Sequence, residues 1–549
     1  MPSALRRLGW VAVAGVVGFF VVTLGVYLAI SSAGNPIDIL RLAIRNVSPS
    51  QIKAAQDFAN LGYLGWVWSV FGGGLGSLYG VPVGANQWSW TIVTLELALP
   101  AVAVGGIAGW VVGTLSSRRA GYFLRVLSLA LLSLPAFWIG ELLLYQFSFA
   151  LPALPSYGAA SPYPPYWGGS QFADQLAHLV LPLTTFAITS FAMFSIWVGR
   201  TSMKYKSVPF GSALKASFRE TLGFSGLALA LLLCMTVGVE TAFSWPGLGY
   251  ATARAVEMLD FVTLSATWTI LGIVALVAVV LSALVYALTR PREVSEIAPE
   301  PSSPGRISFK AEVAVALVGI TLLLAVWGGL FAPYPARSLQ CFYQGCANLP
   351  PFTSAAHPFG TERSGIDVFS DTLHGLANDL AAAVAISVVA LVFGMVLRLV
   401  SSRLSGVIRW VVYLAVAANV PLWAMWLERT SAFVGAASAQ SGFPGIVLGL
   451  GLLGGLVVSL LGKEKQSQGG FRGLVTQAVP GTMFVAGFSL LLLEYLGFLG
   501  FSPLGSVSIG LVISEGFVSL VSSPWVWFFP GLVGSFAVFS LFLLADSLS

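Results

Sequence analysis

Run after run of apolar residues, each long enough to cross a bilayer, restricts this chain more than any other feature. A helix needs about 20 consecutive apolar residues to span the hydrocarbon core. Such runs occupy 8–30, 91–114, 122–148, 177–199, 223–241 and 264–289, and then 311–332, 377–400, 407–427, 443–461, 476–497 and 525–546. With no water to satisfy backbone groups in lipid, runs of this length read as helices. The expected fold is an all-α integral membrane protein of about twelve transmembrane helices in two six-helix halves. Composition agrees: 57% of residues are hydrophobic and 9% charged, against about 25% charged in soluble domains. The three cysteines exclude a disulfide scaffold and a cysteine-rich metal site.

Arg6 and Arg7 precede the first run. At 8–30 that run exceeds the roughly 7–15 residues of a secretory signal, so it reads as a retained first helix with a cytoplasmic N-terminus. On that topology all but seven of the 27 Lys and Arg residues fall in cytoplasmic segments, as positive-inside bias requires. The exceptions are Arg41, Arg45, Lys53, Arg254, Arg337, Arg363 and Arg429. Both termini are then cytoplasmic, in a multi-pass protein of the cell membrane. Basic residues dispersed in this way report topology and leave no nucleic-acid footprint. Residues 290–310, rich in Pro, Ser and Glu, form a cytoplasmic linker between a first half, 1–289, and a second, 311–549. Because the linker is cytoplasmic, the halves share one orientation and are parallel repeats.

Between two apolar runs lies Val239-Glu-Thr-Ala-Phe-Ser-Trp-Pro-Gly-Leu-Gly249. Pro246 lacks a backbone donor, and Gly247 and Gly249 permit backbone angles that other residues avoid. Irregular backbone at membrane depth needs cover from protein or a water-filled cavity. Glu240 beside it is costly in hydrocarbon and reads as a functional-site candidate, or else as a polar loop end at the membrane surface. The segment resembles the signature of the dipeptide/oligopeptide/nickel-type ABC importer permeases, near the outer end of their fifth helix. The resemblance implies a segment that dips toward the translocation path, carried here by Glu240, Phe243, Trp245, Pro246, Gly247 and Gly249. In the second half, Glu494 followed by Leu499-Gly-Phe-Ser-Pro-Leu-Gly505 parallels it, with Gly500 and Pro503 in the turn.

Two loops resemble the same family, each in a different one of its two permease subunits. Gly74-Leu-Gly-Ser77, Pro82-Val83 and Thr94-Leu-Glu-Leu97 are similar to the first subunit. His357-Pro-Phe-Gly-Thr-Glu-Arg-Ser-Gly-Ile-Asp367 is similar to a motif of the second, carried by His357, Gly360, Thr361, Gly365 and Asp367. The resemblance implies two permease subunits fused in one chain, importing peptides, oligosaccharides or metal chelates. It also implies separate cytoplasmic ATPases that hold ATP and Mg²⁺, and an external solute-binding protein.

The family's coupling helix, which docks on the ATPase, is altered here. In the first half Ser212 to Leu222 reads as one short amphipathic helix after Gly211, with Ser212, Ala213, Lys215, Arg219 and Glu220 as coupling candidates. In the second half the Gly-rich 462–473 loop is a poor helix, leaving Lys463, Lys465 and Arg472. A permease-derived anchoring subunit that no longer transports is the alternative reading. An ion-coupled transporter would want paired ionisable residues at mid-membrane depth, which the runs scarcely provide.

Other residues have plainer readings. Cys341 and Cys346 fall in an external loop, where an oxidising compartment favours a local disulfide; Cys234 reads as a small core residue. His357, His374, Asp367 and Asp371 do not by their spacing define a metal site, and none is expected. Trp66, Trp68, Trp88 and Trp90 suit an interfacial position. Glu96 and Glu141 either line a pathway or are solvated near the interface. No Walker-type sequence and no nucleophile–base set is present, so no catalytic residue and no directly bound cofactor are expected.

Overall fold

The computed structural model describes all residues except 1, 33–36, 38–40, 42–46, 77–82, 119–120, 164–166, 206–207, 259, 290–308, 340–344, 401–441, 462–469, 501–505 and 549. Its helices, in chain order, are α1 (Pro2–Ser32), α2 (Pro49–Ala59), α3 (Tyr63–Phe71), α4 (Val83–Ser116), α5 (Tyr122–Leu132), α6 (Ala136–Leu144), α7 (Gln171–Thr201) and α8 (Phe210–Ala242). They continue with α9 (Leu248–Glu257), α10 (Phe261–Leu288), α11 (Phe309–Phe331), α12 (Val368–Val400), α13 (Gly442–Leu461), α14 (Gly470–Phe498), α15 (Ile509–Val518) and α16 (Trp525–Leu548). The protein is an all-α integral membrane protein. Among the described residues, nine helices are long and apolar enough to cross a membrane, or ten if one bent pair counts as a span. Of the twelve expected spans, 407–427 lies outside the described residues, and 443–461 corresponds to α13.

The expected single span at 122–148 is broken. α5 and α6 form the bent pair, and Pro135 caps α6. Proline cannot donate to the preceding turn and disfavours helical angles at the residue before it, so the helix stops at Leu132 and restarts. A π-helical turn, Tyr145–Ala150, then ends α6.

The residues group into two compact units. One holds Met1–Leu131 and Leu151–Glu300; the other holds Leu132–Ala150, Pro301–Val412 and Gln440–Ser549. In the first, α4 and α7 approach through small residues, since lipid tails provide no hydrophobic drive between helices. Cβ atoms on Gly105, Gly109 and Gly113 would sit 2.5–2.7 Å from the Ala187, Phe191 and Ser195 carbonyls. Trp66, expected at the interface, is buried instead: α3 folds over α1 and α10, and the indole N–H donates to Ser265 Oγ at 3.3 Å. Trp68, on the opposite face of α3, is exposed.

In the second unit, α6 is held by aromatic contacts that explain its place there. Phe137 stacks on Phe498 at 4.2 Å, and Trp138 Nε1 donates to the Trp527 carbonyl at 3.2 Å. Gly531 of α16 leaves room for the Trp138 ring. Gly394 of α12 and Gly455 of α13 serve the same purpose between those two helices.

Candidate functional site

α8 ends at Ala242, and Phe243 to Gly247 reverse the chain into α9. The Trp245 N–H donates to the Glu240 carbonyl at 2.8 Å, and the Gly247 N–H to the Trp245 carbonyl at 2.8 Å. Ser244 adopts φ +49°, a left-handed angle that the tight reversal imposes on a non-glycine residue. Phe243 and Trp245 are buried while Pro246 faces outward. Trp245 Nε1 donates to the Val93 carbonyl of α4 at 3.2 Å.

Behind this turn Glu240 is fully buried, and its carboxylate is partnered. Thr94 Oγ1 of α4 donates to Oε1 at 2.7 Å, and the Tyr250 N–H donates to Oε2 at 3.0 Å. The same Thr94 oxygen accepts the Leu248 N–H at 2.8 Å. One threonine thus joins α4, α8 and the first turn of α9, the hydrogen bonding that a buried polar group requires. Both glycines are needed for space. A Cβ on Gly247 would lie 2.5 Å from Glu240 Oε2, and one on Gly249 would lie 2.5 Å from the Thr236 backbone of α8. Glu240 is therefore a buried latch, not a polar loop end.

The second unit repeats the plan with different chemistry. α14 is followed by Gly500 at φ +84°; Pro503 lies outside the described residues; α15 then packs back, with Gly510 pressed against the Glu494 carbonyl. Glu494 is fully buried, but neither carboxylate oxygen has a hydrogen-bond partner among the described residues. The N–H of Ile509, which opens α15, donates instead to Asp379 Oδ2 of α12 at 2.8 Å. Asn378 Nδ2 beside it donates to the Val507 carbonyl at 2.9 Å. Sequence reasoning missed Asp379. The available signal was an Asn-Asp pair inside an apolar run.

The loop before α12 places the His357 motif. His357 Nδ1 lies 2.9 Å from Asp367 Oδ1, and the imidazole stacks on Tyr334 at 5.0 Å. Asp367 caps α12 by accepting the Ser370 N–H at 2.8 Å. Thr361 Oγ1 donates to the Cys346 carbonyl at 2.7 Å and accepts the Leu349 N–H at 2.9 Å. Its own carbonyl takes Trp525 Nε1 of α16 at 3.1 Å. Gly360 and Gly365 sit at φ +78° and +79°, angles that glycine tolerates. These residues close the loop on itself and onto α16. His374 faces the Tyr334 carbonyl at 3.1 Å. Cys346 is disulfide-bonded; Cys341 lies outside the described residues, and Cys234 is a buried thiol.

Arg337 in this loop makes a bidentate ion pair with Glu515 of α15 and donates its N–H to Asp371 at 2.9 Å. The Glu515 hydrogen bonds hold the guanidinium beyond its ordinary range. Glu362, bonded by Ser364, titrates above the usual glutamate range, because burial penalises its charge.

The first-half coupling candidates do not form a separate helix. Ser212, Ala213, Lys215, Arg219 and Glu220 lie in the first turns of α8, which continues unbroken to Ala242. Gly223 and Gly226 do not stop it, since α10 packs closely against them. The start of α8 is pinned by α4: Trp110 Nε1 donates to the Leu214 carbonyl at 3.1 Å, and Thr114 meets Ser217 at 2.9 Å. Arg219 stacks over Tyr286 at 4.0 Å, and Lys204 pairs with Glu220 at 3.2 Å. Lys463 and Lys465 lie outside the described residues, as does the side chain of Arg472. Glu96 and Glu141, which the sequence left between a pathway and the interface, diverge: Glu96 is exposed on α4, whereas Glu141 of α6 is fully buried.

No family model matches the chain. Individual relatives do. A putative peptide permease protein of Brucella suis is 27% identical over 292 residues, which cover 47% of this chain and 89% of the relative. The di/tripeptide transport system permease protein DppB of Pseudomonas aeruginosa is 28% identical over 331 residues, 52% of this chain and 97% of the relative. The oligopeptide transport system permease protein OppB of Mycobacterium tuberculosis is 27% identical over 256 residues, 42% of this chain and 79% of the relative. Near-complete peptide permeases thus account for about half of this polypeptide, and the chain is a multi-pass membrane permease related to the peptide-type ABC transporters.

Proposed function

We propose that this chain is the permease of a binding-protein-dependent ABC importer for peptides or similar solutes such as oligosaccharides or metal chelates, with two permease subunits fused as residues 1–289 and 311–549. The observation that carries the reading is the Glu240 latch, a folded-back helix tied at membrane depth by the residues through which the sequence resembles the family. The names of the relatives support peptides as the solute class.

In this reading the turns before α9 and α15 shape the outer gate, and an external solute-binding protein delivers its load to loops 31–90, 149–176 and 333–376. Separate cytoplasmic ATPases hold ATP and Mg²⁺, and the permease itself performs no catalysis. The α7–α8 turn, with Lys204, Lys215, Arg219 and Glu220, is the contact through which the first ATPase acts. Because α8 is continuous from that turn to Glu240, a push at its start reaches the latch without crossing a flexible joint. Both termini are cytoplasmic, and the chain sits in the cell membrane.

The test is purification of the native protein in mild detergent, followed by identification of its partners and assay of ATP turnover with candidate peptides. Co-purified ATPases and a solute-binding protein, with turnover stimulated by a peptide, support an importer. Recovery with other membrane subunits and no ATPase would instead make the chain a structural anchor.

A further inference from the structure

The short helix α15 is fastened at both ends to other elements of its unit. At its first residue the Ile509 N–H donates to Asp379 Oδ2 of α12 at 2.8 Å. Near its other end Gly516 lies so close to α16 that a Cβ there would stand 2.6 Å from the Trp527 amide nitrogen. Glu515, one residue earlier, accepts from both terminal nitrogens of Arg337 in the loop before α12.

The backbone sets Arg337 in a conformation that most residues avoid. Arg337 is the third residue of a turn closed by the Ser338 N–H on the Pro335 carbonyl at 3.2 Å, and its φ is +61°. Glycine or asparagine ordinarily fills such a place, and strain of this kind persists only where the surroundings over-determine it. The first turn of α12 does so. Asp371 Oδ1 accepts the Arg337 N–H at 2.9 Å, and Ser370 Oγ accepts the Tyr334 N–H at 3.2 Å.

Charge gives that placement a purpose. Carboxylates from three elements act on the Arg337 guanidinium: Glu515 of α15, Asp371 of α12 and Glu362 of the loop itself. Asp371 Oδ2 lies 3.9 Å from Nη1. Without the cation among them, these like charges would push α15 away from the loop and from α12. The rest of the loop is anchored on α16 and the turn before it. Asn348 is bonded by Ser523, the Thr361 carbonyl takes Trp525 Nε1 at 3.1 Å, and Phe359 stacks on Phe529 at 4.4 Å. In the first unit the charges of the short helix are used otherwise: Arg254 and Glu257 of α9 pair with each other at 2.7 Å.

We propose that the loop before α12 is a strap that holds α15 in place through Arg337, and that α15 is released when the Arg337–Glu515 pair opens. The inference rests on the reading of the turn before α15 as part of the outer gate, and it makes Arg337 the positioning residue of that gate. The pair suits a releasable tie. Its side chains are 40% and 29% exposed, within reach of a docking protein, and ion pairs of such exposure weaken with salt.

Hydrogen–deuterium exchange of the full-length chain in lipid nanodiscs tests the strap without any partner. In Glu515→Gln and in Arg337→Gln the amides of 509–518 should exchange roughly tenfold faster than in wild type, because charged hydrogen bonds are lost. Those of α12 and α16 should keep their rates. The double variant should be no faster than Arg337→Gln, since both changes open the same pair. Added salt should speed exchange in wild type and leave the double variant unchanged. Wild-type rates in both single variants overturn the strap, as do rates raised equally in α12 and α16, or effects that add in the double variant. Should Arg337→Gln fail to fold, Glu515→Gln, which leaves the loop its cation, decides the matter with the salt series. In proteoliposomes with the partners added, a released α15 should raise ATP turnover in the absence of solute. Unchanged solute-free turnover beside faster exchange would overturn the gate role. No turnover even in wild type would count against the importer reading alone, and the exchange result would still decide the strap.

Discussion

Thr94 and Glu240 concentrate the site into one hydrogen-bonded pair. Replacing Thr94 by Val leaves the Leu248 N–H unmet and removes one donor from a buried carboxylate. Leaving a buried polar group unsatisfied costs about 1–3 kcal/mol, so denaturation in detergent should register a loss of that order, while Thr94→Ser should be near wild type. Gly247→Ala should be comparably damaging, because its Cβ would lie 2.5 Å from Glu240 Oε2. At the same scale, Glu362 predicts a pH effect. Burial raises its proton affinity in the folded loop, so the folded state binds more protons than the unfolded one. The stability it contributes is present below the ordinary glutamate range, near pH 4.3, and is lost as pH rises through the raised value. Proteolysis of loop 333–367 across pH should show that decline in wild type, and Glu362→Gln should flatten it. Sequence reasoning named Thr94 only as the first residue of the Thr94-Leu-Glu-Leu97 motif and did not join it to Glu240, because a hydroxyl inside an apolar run shows no partner until a neighbouring helix brings it a carboxyl group.

Among the elements, α8 departs most from expectation. A separate amphipathic helix at Ser212–Leu222 was a fair reading of Gly211 and the charged residues after Ser212, yet Trp110 and Thr114 of α4 fix those turns as the start of a 33-residue helix. Disrupting the Lys204–Glu220 pair with Glu220→Ala should therefore change stability little, since exposed pairs contribute about 0–1 kcal/mol. If the α7–α8 turn is the ATPase contact, the same variant should reduce peptide-stimulated ATP turnover in proteoliposomes. The His357 loop behaves oppositely. His357→Ala removes the Asp367 contact and the Tyr334 stacking, and it should make loop 333–367 cleavable by protease without altering the helices. α5 and α6 show how one residue divides a run: hydropathy is continuous from 122 to 148, and only Pro135 marked the break.

At the scale of the whole molecule, the chain carries two versions of one plan. In each unit a short helix folds back beside a buried glutamate, but the first unit settles that glutamate with a threonine and the second sets an aspartate in the threonine's place. The sequence by itself determined the membrane class, the helical content and the position of both folded-back segments. Long apolar runs admit few other solutions in lipid, and proline and glycine interrupt a helix, as Pro246 and Gly247 do between α8 and α9. Tertiary structure alone decided which unit received α6, which side chains met the buried carboxylates, and that Trp66 turned inward. Those outcomes depend on contacts between residues far apart in the chain, and neither periodicity nor local propensity records them.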